Sequence, residues 1–467
     1  MANSQPEDGP PSKRKRLNMP TKRGVANIVT SVQNLLRNSQ SNPIGGRDLF
    51  GPTKIDTKIL EQTMAEKIHR TKILTMNKCQ NCSGLEDMRM NAADPAKLKE
   101  INEQKLKHSE EMRQTRSVFG ILDDRCRENN GILVIRIDGA SNKATKIPIL
   151  AYKPKSIVDA NRISYTMTGV QVPTNGSTKF QTSCYMNLCD RYKKGSSYYF
   201  SLVLDFLVKL DKMPTKLFII ADNASPNKSD ELLAGYGYLL QSVPNLKSVT
   251  LVNNLVGHSH NELDGYFGVM NQHLSTKTIF STTDYDNELK KIKSTREVNN
   301  VYNVYDMSGL KSNVVHILNR GTHHQLHLFK DDKNVIMQCV AEYATTEAFE
   351  KLCNNSDQIP LFKDQNIVTQ FVAPIVIPEL VETEKSLRRL FKSGQGFFKH
   401  SHQQSILNHL KNYKSEDFED TIKQLRDKPA YPLFVTTTTS ETVTQYLERH
   451  GYIATNLPKP LVVQKSK

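Results

Sequence analysis

Three aspartates stand at the ends of apolar runs in this chain. Asp138 closes Gly131-Ile-Leu-Val-Ile-Arg-Ile-Asp138, and Asp222 closes Leu217-Phe-Ile-Ile-Ala-Asp222. Asp264 follows a third run, Ser248-Val-Thr-Leu-Val-Asn-Asn254, inside Gly257-His-Ser-His-Asn-Glu-Leu-Asp-Gly-Tyr-Phe-Gly268. Short β-branched runs ending in a carboxylate predict buried strands that carry an acid to one edge of a sheet. In open α/β sheets the carboxyl-end edge is where ligands bind. Three carboxylates gathered there repel one another unless a cation lies among them, and an all-oxygen donor set favours Mg2+ or Mn2+. The chemistry that follows is metal-dependent phosphoryl transfer on nucleic acid. The structural alternative is that Asp ends strands because it starts turns and caps helices.

In that chemistry Asp138 would bridge two ions about 3.5–4 Å apart, with Asp222 on one and Asp264 on the other. Positioning and charge stabilisation would do most of the catalysis. Asn223 would orient a metal-bound water or cap the following turn. Lys228 would contact phosphate or be solvated, and His258 would move a proton or lie against the sheet. Glu262 competes with Asp264 for the third place. Two residues apart on a regular helix, they point about 200° from each other, so only one can face the ions. Tyr266 and Phe267 read as core.

A second group is Cys79-Gln-Asn-Cys82, a spacing that suits one corner of a tetrahedral Zn2+ site. His108 and Cys126 downstream and His69 upstream are the candidates for further ligands, with His108 first. A redox pair is disfavoured because no thioredoxin-like βαβ pattern surrounds it. A third group, His258-x-His260, could be half of a metallohydrolase site completed by His316, His323, His324 or His327. Glu262-Leu263 stands where the metallo-β-lactamase pattern puts Asp-His.

The elements that must position the three acids occupy residues 129–275. After the Asp138 strand, Lys146 to Lys153 and a stretch from about Ile163 to Val172 read as strands. Thr182 to Leu188 replaces or extends the third of these. Tyr198 to Leu210 is apolar throughout and predicts a buried helix. The Asp222 strand, a helix over Ser229–Val243, the Ser248 strand and a helix from about His260 to Leu274 follow. Three strands, helix, strand, helix, strand, helix is the order of a ribonuclease H-like fold: α/β, with a mixed central sheet flanked by helices. An exonuclease of that fold would carry Asp-x-Glu on its first strand, and Asp138-Gly-Ala140 lacks the Glu.

The segments Ile137-Asp-Gly-Ala-Ser141, Ala221-Asp-Asn-Ala-Ser-Pro-Asn-Lys228 and Gly257 to Gly268 resemble those of a transposase-derived family of uncharacterised eukaryotic proteins. The resemblance spans roughly residues 75–330. It implies a DDE/D-type catalytic core that nicks or joins DNA, with transposon ends as substrate and Asp264 rather than Glu262 as third acid. That family often has Cys-x-x-Cys followed by a helix bearing a His, to which Cys79, Cys82 and His108 are similar. Ser259 stands where the family usually has Thr, and Ala224-Ser225 where it tends to have Cys or Gly. A domesticated, non-catalytic DNA-binding protein of the same fold is the main alternative.

The chain has 467 residues, with 63 Lys and Arg against 48 Asp and Glu, a formal charge of +15 that favours polyanion partners. Its 7 cysteines form no dense framework, which points to a reducing compartment. No apolar run is long enough to span a bilayer, and no secretory h-region opens the chain. Residues 1–54 read as a basic tail in which Lys13, Arg14, Lys15 and Arg16 suit nuclear import, so a nuclear protein is expected. Residues 55–128 read as helical, over 55–73 and 95–118; the thin stripe of Leu98, Ile101 and Leu106 suits a surface helix or a homodimer seam. The expected core is 129–330. Residues 331–467 are a mixed accessory region, in which basic residues and Phe391, Phe397 and Phe398 interleave between Ser386 and Leu410 as a nucleic-acid surface or as amphipathic helix.

Overall fold

A computed structural model of the protein describes residues 79–92, 94–128, 131–142, 145–151, 162–189, 191–222, 225–253, 262–315, 324–331, 334–340, 358–378, 380–393, 397–411 and 416–431. The basic tail with Lys13–Arg16, the helix expected over 55–73, and His69, Asn223, His258, His260, His316 and His323 lie outside the described residues.

A mixed sheet forms the centre. Its middle is an antiparallel meander of β1 (Ile132–Gly139), β3 (Ile163–Pro173) and β4 (Phe180–Leu188). On the other side of β1 lie β5 (Lys216–Ala221) and β6 (Ser248–Asn253), both parallel to it. A hairpin of β8 (Gln325–Asp331) and β9 (Asn334–Val340), with β10 (Gln358–Pro360), continues the sheet antiparallel beyond β6. At the far edge β7 (Thr295–Asn300) runs parallel to β4. The inner strands are covered on both faces, so they read as nearly unbroken apolar runs rather than as alternating ones; Val134 and Ile135 are both fully buried.

Among the described residues, two helices precede the sheet, α1 (Gln80–Asn91) and α2 (Pro95–Arg127). The second starts with Asp94 as a cap, accepting from the Ala96 amide, and Pro95 in the first turn. After the meander come α3 (Ser196–Val208), α4 (Asp230–Ser242), α5 (Glu262–Leu274) and α6 (Thr282–Lys290). The last four among the described residues are α7 (Gln365–Gln370), α8 (Leu380–Ser393), α9 (His400–Lys411) and α10 (Phe418–Arg426). The α/β architecture with helices flanking a mixed sheet agrees with the expectation from the sequence.

Several expectations change in detail. Of the strand expected over 146–153, Lys146–Ile147 pairs with β3 as the short β2, and Ile149 makes an isolated antiparallel bridge to Ile279. Pro148 has no amide to donate and ends the ladder. The third strand of the meander is therefore Phe180–Leu188. The helix expected to stop at Val118 runs on to Arg127, because Val118, Ile121, Leu122 and Cys126 keep a helical stripe that is buried. Between Ser386 and Leu410, Phe391 and Phe398 are buried with ring centroids 5.4 Å apart, so they serve the core rather than a stacking surface.

The expected borders at 128 and 330 do not coincide with breaks in packing. Val118, Leu122 and Cys126 of α2 share one hydrophobic cluster with β1, β5, α3 and α4, and so do Phe418, Ile422 and Leu425 of α10. A second cluster on the opposite side joins Leu263, Tyr266 and Phe267 of α5 to Leu387, Phe391 and Leu407. Among the described residues, no helix is long and apolar enough to cross a membrane. The six described cysteines are thiols, with no disulfide among them.

Candidate active site and candidate metal centre

The strand register sets the three aspartates. β1 and β5 are paired up to Arg136 opposite Ile220. Two residues farther on, Asp138 and Asp222 leave neighbouring parallel strands at the same level, about 4.8 Å apart in the backbone. Asp138 pairs on its other side with Gly169 of β3. Over Gly169 lies the start of α5: a side chain there would meet Leu263 Cδ1 at 2.7 Å and Phe267 at 3.3 Å. The absence of a Cβ at Gly169 thus lets α5 settle onto the sheet beside Asp138, with Asp264 in its first turn.

The electrostatics register this proximity. Burial pushes the Asp138 carboxyl up to about 6; the charges of Asp222 and Asp264 push the same way, while the Gly139 amide and Lys194 pull it down. The Gly139 amide donates to Asp138 Oδ1 at 2.7 Å. Asn227 donates through Nδ2 to Asp222 Oδ1 at 2.6 Å and to the Asp222 carbonyl at 3.2 Å, which fixes the turn after β5. Tyr199, on α3, has its hydroxyl pushed up to about 12 by burial and then by Asp222 and Asp138. Lys228 is buried rather than solvated, and that burial holds its ammonium below the usual lysine range.

Glu262 and Asp264 take different partners. Glu262 Oε2 lies 3.1 Å from Arg136 Nε, two residues before Asp138 on the same face of β1. Arg136 also makes a two-pronged pair with Asp123 of α2, at 2.8 and 2.7 Å. Both partners of that pair are buried, and the Arg136 guanidinium lies over the Phe180 ring at 4.9 Å. One guanidinium thereby fastens α2 and the start of α5 to the strand that carries Asp138.

The cysteine motif also meets its expected histidine. Cys79 is the N-cap of α1 and Cys82 lies in its first turn. The ligand atoms of Cys79, Cys82 and His108 all fall within 4.8 Å of one another. Cys79 Sγ is 3.5 Å from His108 Nε2, and on the far side of the ring His108 Nδ1 is 3.8 Å from Glu111 Oε2. Burial, then Cys79, pushes the Cys82 thiol up, and Lys105 pulls it back. Cys126 does not join this group. It is buried in the main core, and its thiol is pushed up to about 11 by that burial. Among the described residues, the carboxylate oxygens of Asp138, Asp222 and Asp264 are not drawn together within the 4.8 Å that unites the Cys/His group.

Of the histidines considered with His258, His327 sits in β8, its Nδ1 2.8 Å from Thr250 Oγ1 on β6, and burial pushes its imidazole down to about 4. It is a ladder residue of the sheet. The backbone carbonyl of His324 accepts from the Asn253 amide at 2.9 Å.

Lys194, Tyr199 and Arg136 were not among the residues singled out from the sequence, and Asn227 entered only within a motif. For Lys194 a local signal existed: Arg191-Tyr-Lys-Lys194 is a basic loop between a strand and the start of a helix. Tyr199 carries no local signal in its apolar helix, whereas Arg136 does: it is the single charge within the apolar run before Asp138, and a buried guanidinium requires an acidic partner.

Residues 155–347 match a family described as a domain of unknown function, DUF7869. The match takes in Lys194, Asp222 and Asp264, and begins after Asp138 and the Cys/His group. No curated protein matches the chain.

Proposed function

We propose that this chain is a DDE/D-type enzyme that cuts, and then joins, DNA strands by metal-dependent phosphoryl transfer on a ribonuclease H-like core. The observation that carries the reading is the delivery of Asp138 and Asp222 at one level from adjacent parallel strands, with Asp264 close enough to act on Asp138. The sheet supports it. Numbered in chain order as the first to fifth strands, β1, β3, β4, β5 and β6 lie side by side as 3-2-1-4-5, the arrangement of ribonuclease H-like sheets, with β8, β9 and β10 added at one edge. Such a fold hosts many functions, so the chemistry rests on the carboxylates rather than on the topology. The resemblance of the Asp138, Asp222 and Asp264 segments to a transposase-derived family points the same way, and makes DNA, with transposon ends as its natural form, the proposed substrate.

The donor set fits Mg2+ or Mn2+. It is all oxygen, and burial together with two like charges has pushed one acid upward, a conflict that a divalent cation relieves. Asp138, Asp222 and Asp264 would hold it. Bound there, the cation supplies charge neutralisation at the phosphate and lowers the pKa of an attacking water or 3′-hydroxyl. The protein's own contribution is placement. Asn227 locks the Asp222 carboxylate, and the Gly139 amide fixes the rotamer of Asp138. Arg136 keeps the first turn of α5, and so Asp264, with β1. Tyr199 keeps its proton at neutral pH and offers a donor beside the acids.

The test is nicking of supercoiled plasmid with Mn2+ or Mg2+. The wild type should nick, whereas Asp138→Ala should not, yet should still bind DNA, because salt-dependent affinity comes from Lys and Arg contacts with phosphate. Equal nicking by both would overturn the catalytic reading. It would leave a DNA-binding protein that retains the fold, a reading the excess of 63 basic over 48 acidic residues also favours.

The Cys79, Cys82 and His108 group fits Zn2+: two soft sulfurs and an imidazole nitrogen, with a carboxylate beyond the ring to orient it. We assign it a structural role, cross-linking the start of α1 to the middle of α2. The Lys13–Arg16 cluster motivates a nuclear location, testable by following a fluorescent fusion in which these four residues are alanine.

A further inference from the structure

The loop from β4 to α3 brings a cation to the carboxylate edge that the proposed chemistry has not yet used. β4 is parallel to β1, being two antiparallel steps away, so its carboxyl end opens onto the edge where Asp138 and Asp222 lie. From there the chain runs through Arg191, Tyr192, Lys193 and Lys194 into the first turn of α3. Lys194 Nζ lies over the backbone of Gly139: a Cβ built on Gly139 would stand 3.2 Å from it. Any other residue after Asp138 would therefore crowd the ammonium. Its charge also reaches the Asp138 carboxyl. Lys193 and Gly195, on either side of Lys194, line a cavity of about 930 Å³ with Arg191 and the N-terminal residues of α3; Glu231 and Asp306 line it too, whereas Lys194 and the three aspartates do not.

We propose that Lys194 is a substrate-contacting catalytic residue: its ammonium binds a non-bridging oxygen of the scissile phosphate. This deepens the phosphoryl-transfer reading and rests on it. A phosphate held at the three acids carries negative charge toward any ion there. A lysine beside Gly139 approaches the end of β1 from the face opposite the Asp138 side chain, and there offers a compact cation to a phosphate held at the strand end, where charge builds as the bond to phosphorus breaks. It also explains why a lysine is tolerated next to carboxylates meant for a metal: it opposes metal binding slightly, and the substrate gains what the metal loses.

That opposition makes the test specific. Lys194→Met should reduce Mn2+-dependent nicking by at least about tenfold, while Mn2+ alone, titrated by electron paramagnetic resonance, should bind severalfold more tightly because a nearby positive charge is gone. Lys194→Arg should restore most of the nicking. Asp138→Asn is the reference for metal binding at this edge. A Lys194→Met protein that nicks like the wild type, or that binds Mn2+ more weakly and unfolds at a lower temperature, would overturn the assignment and leave Lys194 a structural residue. A wild type without Asp138-dependent Mn2+ binding would overturn the phosphoryl-transfer reading itself, so the two failures are distinguishable.

Discussion

Asp138→Asn should make the metal-free protein more stable. The carboxyl stands at about 6 in the fold against an ordinary 3.8, and each pKa unit is worth about 1.4 kcal/mol. A carboxyl raised in this way favours folding most when protonated. That advantage is fully present below about pH 4 and is lost as pH rises through about 6, so above that the ionised acid destabilises the fold by about 3 kcal/mol. Asparagine keeps an oxygen for the Gly139 amide, which donates at 2.7 Å, and carries no charge. The expected gain at about pH 7.5 in EDTA is therefore about 2–3 kcal/mol, falling to roughly half at pH 5 and to a small remainder near pH 4. Urea unfolding followed by circular dichroism at each pH measures it. Saturating Mn2+ should then narrow or reverse the gap, because only the wild type is stabilised through binding. If Asp138→Asn is no more stable than wild type at neutral pH in EDTA, or if its advantage grows on acidification, the electrostatic account of this edge is wrong.

Three further outcomes are expected. Arg136→Met should destabilise by about 3–5 kcal/mol, since it strands a buried Asp123 carboxylate, and the double variant with Asp123→Leu should recover most of that; a loss under about 1 kcal/mol in the single variant would contradict it. Gly169→Ala places a methyl 2.7 Å from Leu263 Cδ1. It should lower stability by about 1–3 kcal/mol through overpacking and weaken Mn2+ binding through displacement of Asp264, so unchanged Mn2+ affinity would separate α5 from the metal site. Purified wild type should contain zinc that the Cys79→Ser, Cys82→Ser double variant lacks, and equal zinc in both by elemental analysis would rule the cluster out.

The places of Asp138 and Asp222 at strand ends and of Asp264 in the first turn of α5 were legible because each is tied to its own strand or helix by local pattern: an apolar run, then a carboxylate. Cys79, Cys82 and His108 were legible for a related reason, since a helix repeats its geometry and i, i+3 at an N-terminus brings two thiols together. The course of the meander was not. Lys146 to Lys153 is apolar enough for a strand, but Pro148 removes the amide that would extend its ladder with β3, and the pairing passes to Phe180–Leu188. Lys194 and Tyr199 gain their meaning only when the β4–α3 segment folds over the edge of the sheet. The contribution of α8, α9 and α10 to the two cores was equally hidden. Their apolar stripes say that something is covered without saying what.

The long helix α2 has a consequence for how the chain can vary. His108 and Asp123 lie on the same rod, roughly 22 Å apart at 1.5 Å per residue, with the Cys/His cluster near one point and the Arg136 knot near the other. Between them, Ser109 and Arg113 face solvent. Inserting seven residues there adds two turns and nearly preserves the facing of both ends, moving the cluster about 10 Å without rotating it far. Inserting three or four shifts it by about one turn and rotates it by about 60° or 40°, whereas inserting two swings it to the opposite side. The helix thus behaves as a spacer with quantised settings. Sequences of this kind can change how far the cysteine module stands from the carboxylate edge while the packing around Val118, Leu122 and Cys126 stays as it is.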